Sequence, residues 1–99
     1  MTGTERIVAE RVRQIEEEGW TADHDRQHNP EDLVQAAKCY VRDVLAPVDR
    51  TDPNTNECPA DWPWDAYWWK PTPEDPGRQL EKAGALIAAA IDRYSQQAV

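Results

Sequence analysis

Four of the five tryptophans of this chain fall in one ten-residue stretch, Trp62-Pro63-Trp64-Asp65-Ala66-Tyr67-Trp68-Trp69-Lys70-Pro71, and there is no phenylalanine anywhere. Tryptophan brings a large apolar surface and one N–H that needs a partner when buried. Two prolines and the lack of a 3.6-residue period make the stretch an ordered loop rather than a helix. A loop this aromatic must either fold back onto a core or hold a ligand. Whatever else the 99 residues do, they must accommodate it.

The rest of the chain reads as helix. Thr2-Gly3-Thr4-Glu5 is a capping box for a first helix over 4–18, with Val8, Val12 and Ile15 at helical spacing and Ile7 widening the stripe. Glu16-Glu17-Glu18 forms its solvated end, and Gly19 is a C-terminal stop. Asn29-Pro30-Glu31-Asp32 opens a second helix over 30–45, expected to bury Leu33, Ala37, Tyr40, Val41 and Val44. A loop over 46–75 follows. Thr72-Pro73 and Asp75-Pro76 are both good starts for a third helix, 76–97, whose main stripe is Leu80, Ile87, Ile91 and Tyr94. Its small residues, Gly84 in mid-helix above all, invite close approach by another helix. The expectation is one all-α domain over 1–99: three helices, a long Trp/Pro-rich loop, and a core thin enough that dimerisation would complete it.

Charge narrows the partners. Eleven Lys+Arg against nineteen Asp+Glu give a net charge of −8. That balance disfavours non-specific DNA or RNA binding and anionic membranes, but leaves room for a small anion held by a local cationic cluster. The longest apolar run, Ala83 to Ile91, is far short of the roughly 20 residues of a membrane span. No basic-then-apolar leader opens the sequence, so a cytoplasmic protein is expected. Two cysteines, Cys39 and Cys58, are too few for a disulfide framework and lack metal-pair spacing.

Two segments combine aromatic, cationic and hydrogen-bonding groups. One is the connector Trp20-Thr21-Ala22-Asp23-His24-Asp25-Arg26-Gln27-His28. The other is the Trp loop with Lys70 and Arg78. The candidate ligand-binding residues are therefore Trp20, His24, Asp25, Arg26 and His28 on one side, and Trp62, Trp64, Trp68, Trp69, Lys70 and Arg78 on the other. Each segment adjoins a helix N-terminus, where backbone N–H groups favour anions. Indole faces stack nucleobases, and neighbouring cations meet phosphate. His24 and His28 are spaced like paired metal ligands, but outside a helix they do not share a face by necessity. The acids do not form the paired E-x-x-E and E-x-x-D sets of a Mg²⁺-dependent phosphohydrolase. No phosphate loop or nucleophile motif is present, so no catalytic residue, cofactor or metal is assigned.

Arg13-Gln14-Ile15-Glu16, Glu18-Gly19-Trp20-Thr21, His24-Asp25-x-x-His28, Trp62-Pro63-Trp64, Trp68-Trp69-Lys70-Pro71 and Lys82-Ala83-Gly84-Ala85-Leu86-Ile87 together resemble a family of small phage and prophage proteins. The resemblance implies a phage-borne accessory protein, in the host cytoplasm, and supplies no reaction. Where that family's pattern carries acids, this chain has Arg26 and Ala90, which would weaken a metal site and suit an anionic ligand instead. The helical architecture is also faintly similar to MazG-like nucleotide pyrophosphohydrolases, at the level of fold alone. Three functions follow as expectations: a nucleotide-type ligand sequestered by a dimer, a metal-dependent pyrophosphohydrolase, or an acidic module that blocks a host protein. On the first, EDTA should leave the melting temperature unchanged; a drop of several degrees reversed by Zn²⁺ or Mg²⁺ would favour the second.

Overall fold

A computed structural model describes residues 1–18, 29–45 and 58–97. Three helices account for most of them: α1 (Gly3–Glu18), α2 (Pro30–Leu45) and α3 (Pro76–Gln97). A single 3₁₀ turn, Ala66–Trp68, lies between α2 and α3, and there is no strand among the described residues. The all-α, three-helix expectation therefore holds. The Gly19 stop, the connector to His28 and the 46–57 half of the loop lie outside the described residues.

Each helix start follows from local chemistry. Thr2 and Glu5 form a reciprocal capping box: the Glu5 N–H donates to Thr2 Oγ1 at 3.2 Å and the Thr2 N–H to Glu5 Oε1 at 2.9 Å. The Asn29 side chain accepts from the Asp32 N–H at 2.8 Å, with Pro30 as the first helical residue. Of the two possible starts for α3, the chain uses Asp75-Pro76. The Asp75 carboxylate accepts from the Arg78 N–H at 3.1 Å.

The core lies between α2 and α3. Leu33, Ala36, Ala37, Cys39 and Tyr40 from α2 meet Ala83, Leu86, Ala89 and Ala90 from α3, and Trp62 and Trp69 close one side. Alanines opposite Leu33 and Tyr40 let the two backbones come close, so the apposed volumes interdigitate. A buried polar bridge fixes the register. Gln79, fully buried, donates through Nε2 to the buried Asp43 carboxylate of α2, and its Oε1 accepts from the Thr72 N–H at 2.6 Å.

Two stripes that periodicity marks as core are in fact outside. On α1, Val8 is 57% exposed, with Val12 and Ile15 exposed as well, while Glu10 and Gln14 are buried. On α3, Leu80, Ile87, Ile91 and Tyr94 are all exposed, and Val41 of α2 sits at the exposed margin with Val44 half-buried. The reason is what each helix meets. A row of bulky side chains would hold α3 away from α2, so its alanine face turns inward. Helix α1 docks on α3 where Arg78 and Glu81 stand, so its own charged side turns to meet them.

Ile7 of α1 packs directly over Gly84 of α3. A Cβ on Gly84 would lie 2.7 Å from Ile7 Cδ1 and 2.9 Å from Cγ1. Gly84→Leu is therefore expected to lower stability by about 1–3 kcal/mol through overpacking. Urea unfolding is the measurement. The Gly84→Ala/Ile7→Ala pair should be less destabilised than the sum of its two single changes. Additive costs would mean that Ile7 and Gly84 are not in contact.

Candidate functional site

The Trp loop divides into an inner and an outer half, and the turn at its centre does the sorting. Asp65 caps the 3₁₀ turn through Oδ1, which accepts from the Tyr67 N–H at 2.8 Å. Its carbonyl accepts from Trp62 Nε1 at 3.2 Å. Trp62 and Trp69 thereby point inward onto Tyr40, whose ring stacks on Trp69 at 4.7 Å and meets Trp62 edge-on at 5.6 Å. Trp64 is half-buried against the same cluster. Trp68 and Tyr67 face outward, Trp68 with 36% of its surface exposed.

Lys70 is fixed at both of its peptide groups. Its N–H donates to the Tyr40 hydroxyl at 3.2 Å, and its carbonyl accepts from Lys82 Nζ at 2.6 Å. The Lys70 ammonium lies over the rings of Tyr67 (5.3 Å) and Trp68 (5.6 Å), 4.0 Å from Glu18. Beside it opens a cavity of about 230 Å³ between α1, α3 and the loop. Four cationic side chains line it, Arg13, Lys70, Arg78 and Lys82, against two carboxylates, Glu10 and Glu18, with Trp68, Tyr40, Leu86 and Gln14 completing the wall.

Two of the cations, Arg13 and Arg78, enclose the buried acid Glu10. Glu10 takes two hydrogen bonds of 2.8 Å from Arg13 and a 2.6 Å contact from Arg78. Burial would raise the Glu10 carboxyl, but the hydrogen bonds and charges of Arg13 and Arg78 outweigh it and hold it below the ordinary value. Arg78 also bonds Glu81 at 2.8 Å, and Glu81 accepts from Arg6. Burial, then the charge of Arg78, pulls the Lys82 ammonium below the usual lysine range. Burial likewise pushes Tyr40 up to about 12, so its hydroxyl stays neutral. Gln14 is buried, donates to Glu10 at 3.3 Å, and its Oε1 meets no hydrogen-bond partner among the described residues. Arg13 and Arg78 also line an adjoining, wider groove of about 460 Å³ with Met1, Arg6, Ala9, Glu10 and Glu81.

Of the residues proposed from sequence, Trp68, Lys70 and Arg78 come together in this cavity. Trp62 and Trp69 are core instead, because Tyr40 offers the ring surface they cover, and Trp64 packs against them. Trp20, His24, Asp25, Arg26 and His28 lie outside the described residues. Glu10, Arg13, Gln14 and Lys82 were missed as site residues. The available signal was the Arg78/Lys82 pair at i and i+4, which puts two cations on one face of α3 beside the Trp loop.

Both cysteines sit where the thiolate is disfavoured. Burial, reinforced by the charge of Asp61, pushes the Cys39 thiol up to about 11, and burial raises Cys58 too. Asp61 itself is held well below the carboxylate range by hydrogen bonds from Arg42, one of them 2.8 Å, and also accepts from Gln35 at 2.9 Å. This pins the start of the Trp segment to α2. Among the described residues no three His, Cys, Asp or Glu side chains gather where they could hold a metal ion, and no helix is long and apolar enough to cross a membrane. Comparison with family models, curated proteins and solved structures finds no match to this chain.

Removing the Glu10 charge tests its role directly. Glu10→Gln should cost about 2 kcal/mol at neutral pH, the scale of a lost charged hydrogen bond. The folded-state value of Glu10 lies below its ordinary 4.5, so its stabilisation is present above that value. It disappears as the pH falls through the folded value. The gap between parent and variant should therefore close on acidification, as read by thermal melts from pH 7 downward. A gap that stays constant would mean that the Glu10 charge does not hold α1.

Proposed function

We propose that the chain is a binding protein for a small anionic molecule bearing an aromatic ring, of nucleotide type, held in the cavity between α1, α3 and the Trp loop. The observation that carries this reading is four cationic side chains gathered against an exposed indole in a protein of net charge −8. Glu10 and Glu18 offset part of that charge, and the lining keeps four cations against two carboxylates. A ring stacks on Trp68, and the anionic group reaches Lys82 and the Arg13/Arg78 pair, which continues into the wider groove. Arg13 and Arg78 each meet more than one carboxylate, but the two contacts of Arg78 both use Nη1, and Lys82 has two N–H donors beyond the one given to Lys70. The buried Gln14 acceptor supports a ligand that brings an N–H of its own. In the phage setting that the sequence resemblance implies, such a protein would sequester a host nucleotide signal rather than transform it.

A second reading has its own support. Tyr67 and Trp68 are adjacent, edge-to-face at 5.3 Å, and both exposed. An aromatic pair on an acidic surface is also how a protein-interaction module would engage a host factor.

Tryptophan fluorescence during titration with mononucleotides, cyclic dinucleotides and ADP-ribose separates the two. The parent should respond to at least one of these. Trp68→Ala should lose about 1–3 kcal/mol of binding while keeping its fold, whereas Trp69→Ala should lower the melting temperature. Lys82→Ala should weaken binding too, and parent affinity should fall on the alkaline side earlier than an ordinary lysine would dictate, because the Lys82 ammonium is depressed. If no compound in the panel changes the parent signal, the ligand reading fails and the interaction reading takes its place.

A further inference from the structure

Gln14 is a polar side chain that the packing of α1 does not use in full. It is 3% exposed and stands in the wall of the cavity with Trp68 and Lys82. Its Nε2 donates to Glu10 at 3.3 Å, one turn back along α1, while its Oε1 meets no hydrogen-bond partner among the described residues. Glu10 sets which way the amide faces. Enclosed by Arg13 and Arg78, that carboxylate is ionised and can only accept, so the amide nitrogen must turn toward it and the oxygen away. We infer that Gln14 is the specificity-determining residue of the cavity, its unpaired oxygen selecting a nucleobase that bears an amino group over the same ring without one. The inference rests on the nucleotide-binding reading above and names the class of nucleotide.

Three observations point to a ligand amino group as the partner of this oxygen. The first is the state of its neighbours. Arg13 is engaged with Glu10 and Glu18, Arg78 with Glu10 and Glu81, and Lys82 with the Lys70 carbonyl. None of them donates to Gln14, and a buried acceptor without a partner is the exception in folded proteins. The second is polarity. The amide cannot reverse without setting its oxygen against the Glu10 carboxylate, so the site reads in one sense only. A ring carbonyl or a bare ring nitrogen would meet the Gln14 oxygen acceptor to acceptor, and an N–H would pair with it. The third is reach. Gln14 is recessed, and an amino group projects beyond the edge of its ring, whereas the ring N–H of a uracil is flanked by carbonyls that would arrive first. The cavity, about 230 Å³, is smaller than the roughly 300–1,000 Å³ that encloses a whole drug-sized ligand. It therefore takes the ring end, stacked on Trp68, while the anionic end passes Arg13 and Arg78 into the wider groove.

Titration with paired 5′-monophosphates, read by tryptophan fluorescence, tests the assignment. The pairs are AMP, CMP and GMP, each beside its counterpart without the amino group: the monophosphates of purine riboside, pyrimidin-2-one riboside and inosine. At least one amino-bearing member should bind the parent about tenfold more tightly than its counterpart. Gln14→Met keeps the bulk and removes the acceptor, so it should bring that member down to its counterpart's affinity and leave the counterpart unchanged. The Gln14 side-chain amide resonances of the parent should shift with the amino-bearing nucleotide and not with its counterpart, a readout that needs no variant. Equal affinities within every pair, a preference that survives Gln14→Met, or resonances that stay in place overturn the inference and leave the nucleotide-binding reading standing. If none of these compounds moves the parent signal, the inference falls. The nucleotide-binding reading falls with it only if the cyclic dinucleotides and ADP-ribose are silent too.

Discussion

Glu10 is the side chain on which the arrangement of this protein turns. A carboxylate buried on α1 would be strongly unfavourable alone, and Arg13 and Arg78 make it tolerable by enclosing it. The chain of alternating charges runs from Arg6 through Glu81 and Arg78 to Glu10 and Arg13, so it follows the seam between α1 and α3. Its geometry is demanding, and it dictates which side of α1 turns inward. The apolar row of that helix is displaced to the outside as a result. The same pairing collects guanidinium groups at the edge of the Trp-walled cavity, so scaffold and candidate site share one electrostatic cause.

The tryptophans divide their labour along similar lines. Trp62 and Trp69 supply what three slim helices lack, a broad apolar surface against Tyr40. Once they are committed, the intervening turn has to present Tyr67 and Trp68 outward, since Asp65 caps it in only one sense. Core formation and display of an indole are thus two outcomes of one local conformation. The backbone of Lys70 is held by bonds to Tyr40 and Lys82, and its ammonium lies over Tyr67 and Trp68 beside Glu18.

Helix boundaries were legible in the sequence because capping is local: Thr2 with Glu5, Asn29 with Pro30 and Asp75 with Pro76 each act within four residues. The inward faces were not. Periodicity locates an apolar row on a helix but cannot say whether another helix tolerates its bulk, and the alanines of α3 decided that instead. The Glu10–Arg78 contact joins residues far apart in the chain, and no local pattern announces it. Accordingly, Trp68, Lys70 and Arg78 could be nominated from the loop and its neighbour, while Glu10, Arg13 and Lys82 acquired their significance only through the docking of α1.

The buried bridge from Asp43 through Gln79 to Thr72 ties the Trp loop to the helix pair. One amide serves both: its nitrogen donates to Asp43 of α2, and its oxygen accepts from the Thr72 backbone. The register of α2 against α3 and the path of the trailing leg of the loop are therefore coupled through a single side chain. Loss of that amide would leave a buried carboxylate on α2 and a loop N–H without this partner at the same time, so the wall that carries the indoles is only as firm as the packing of the two helices behind it.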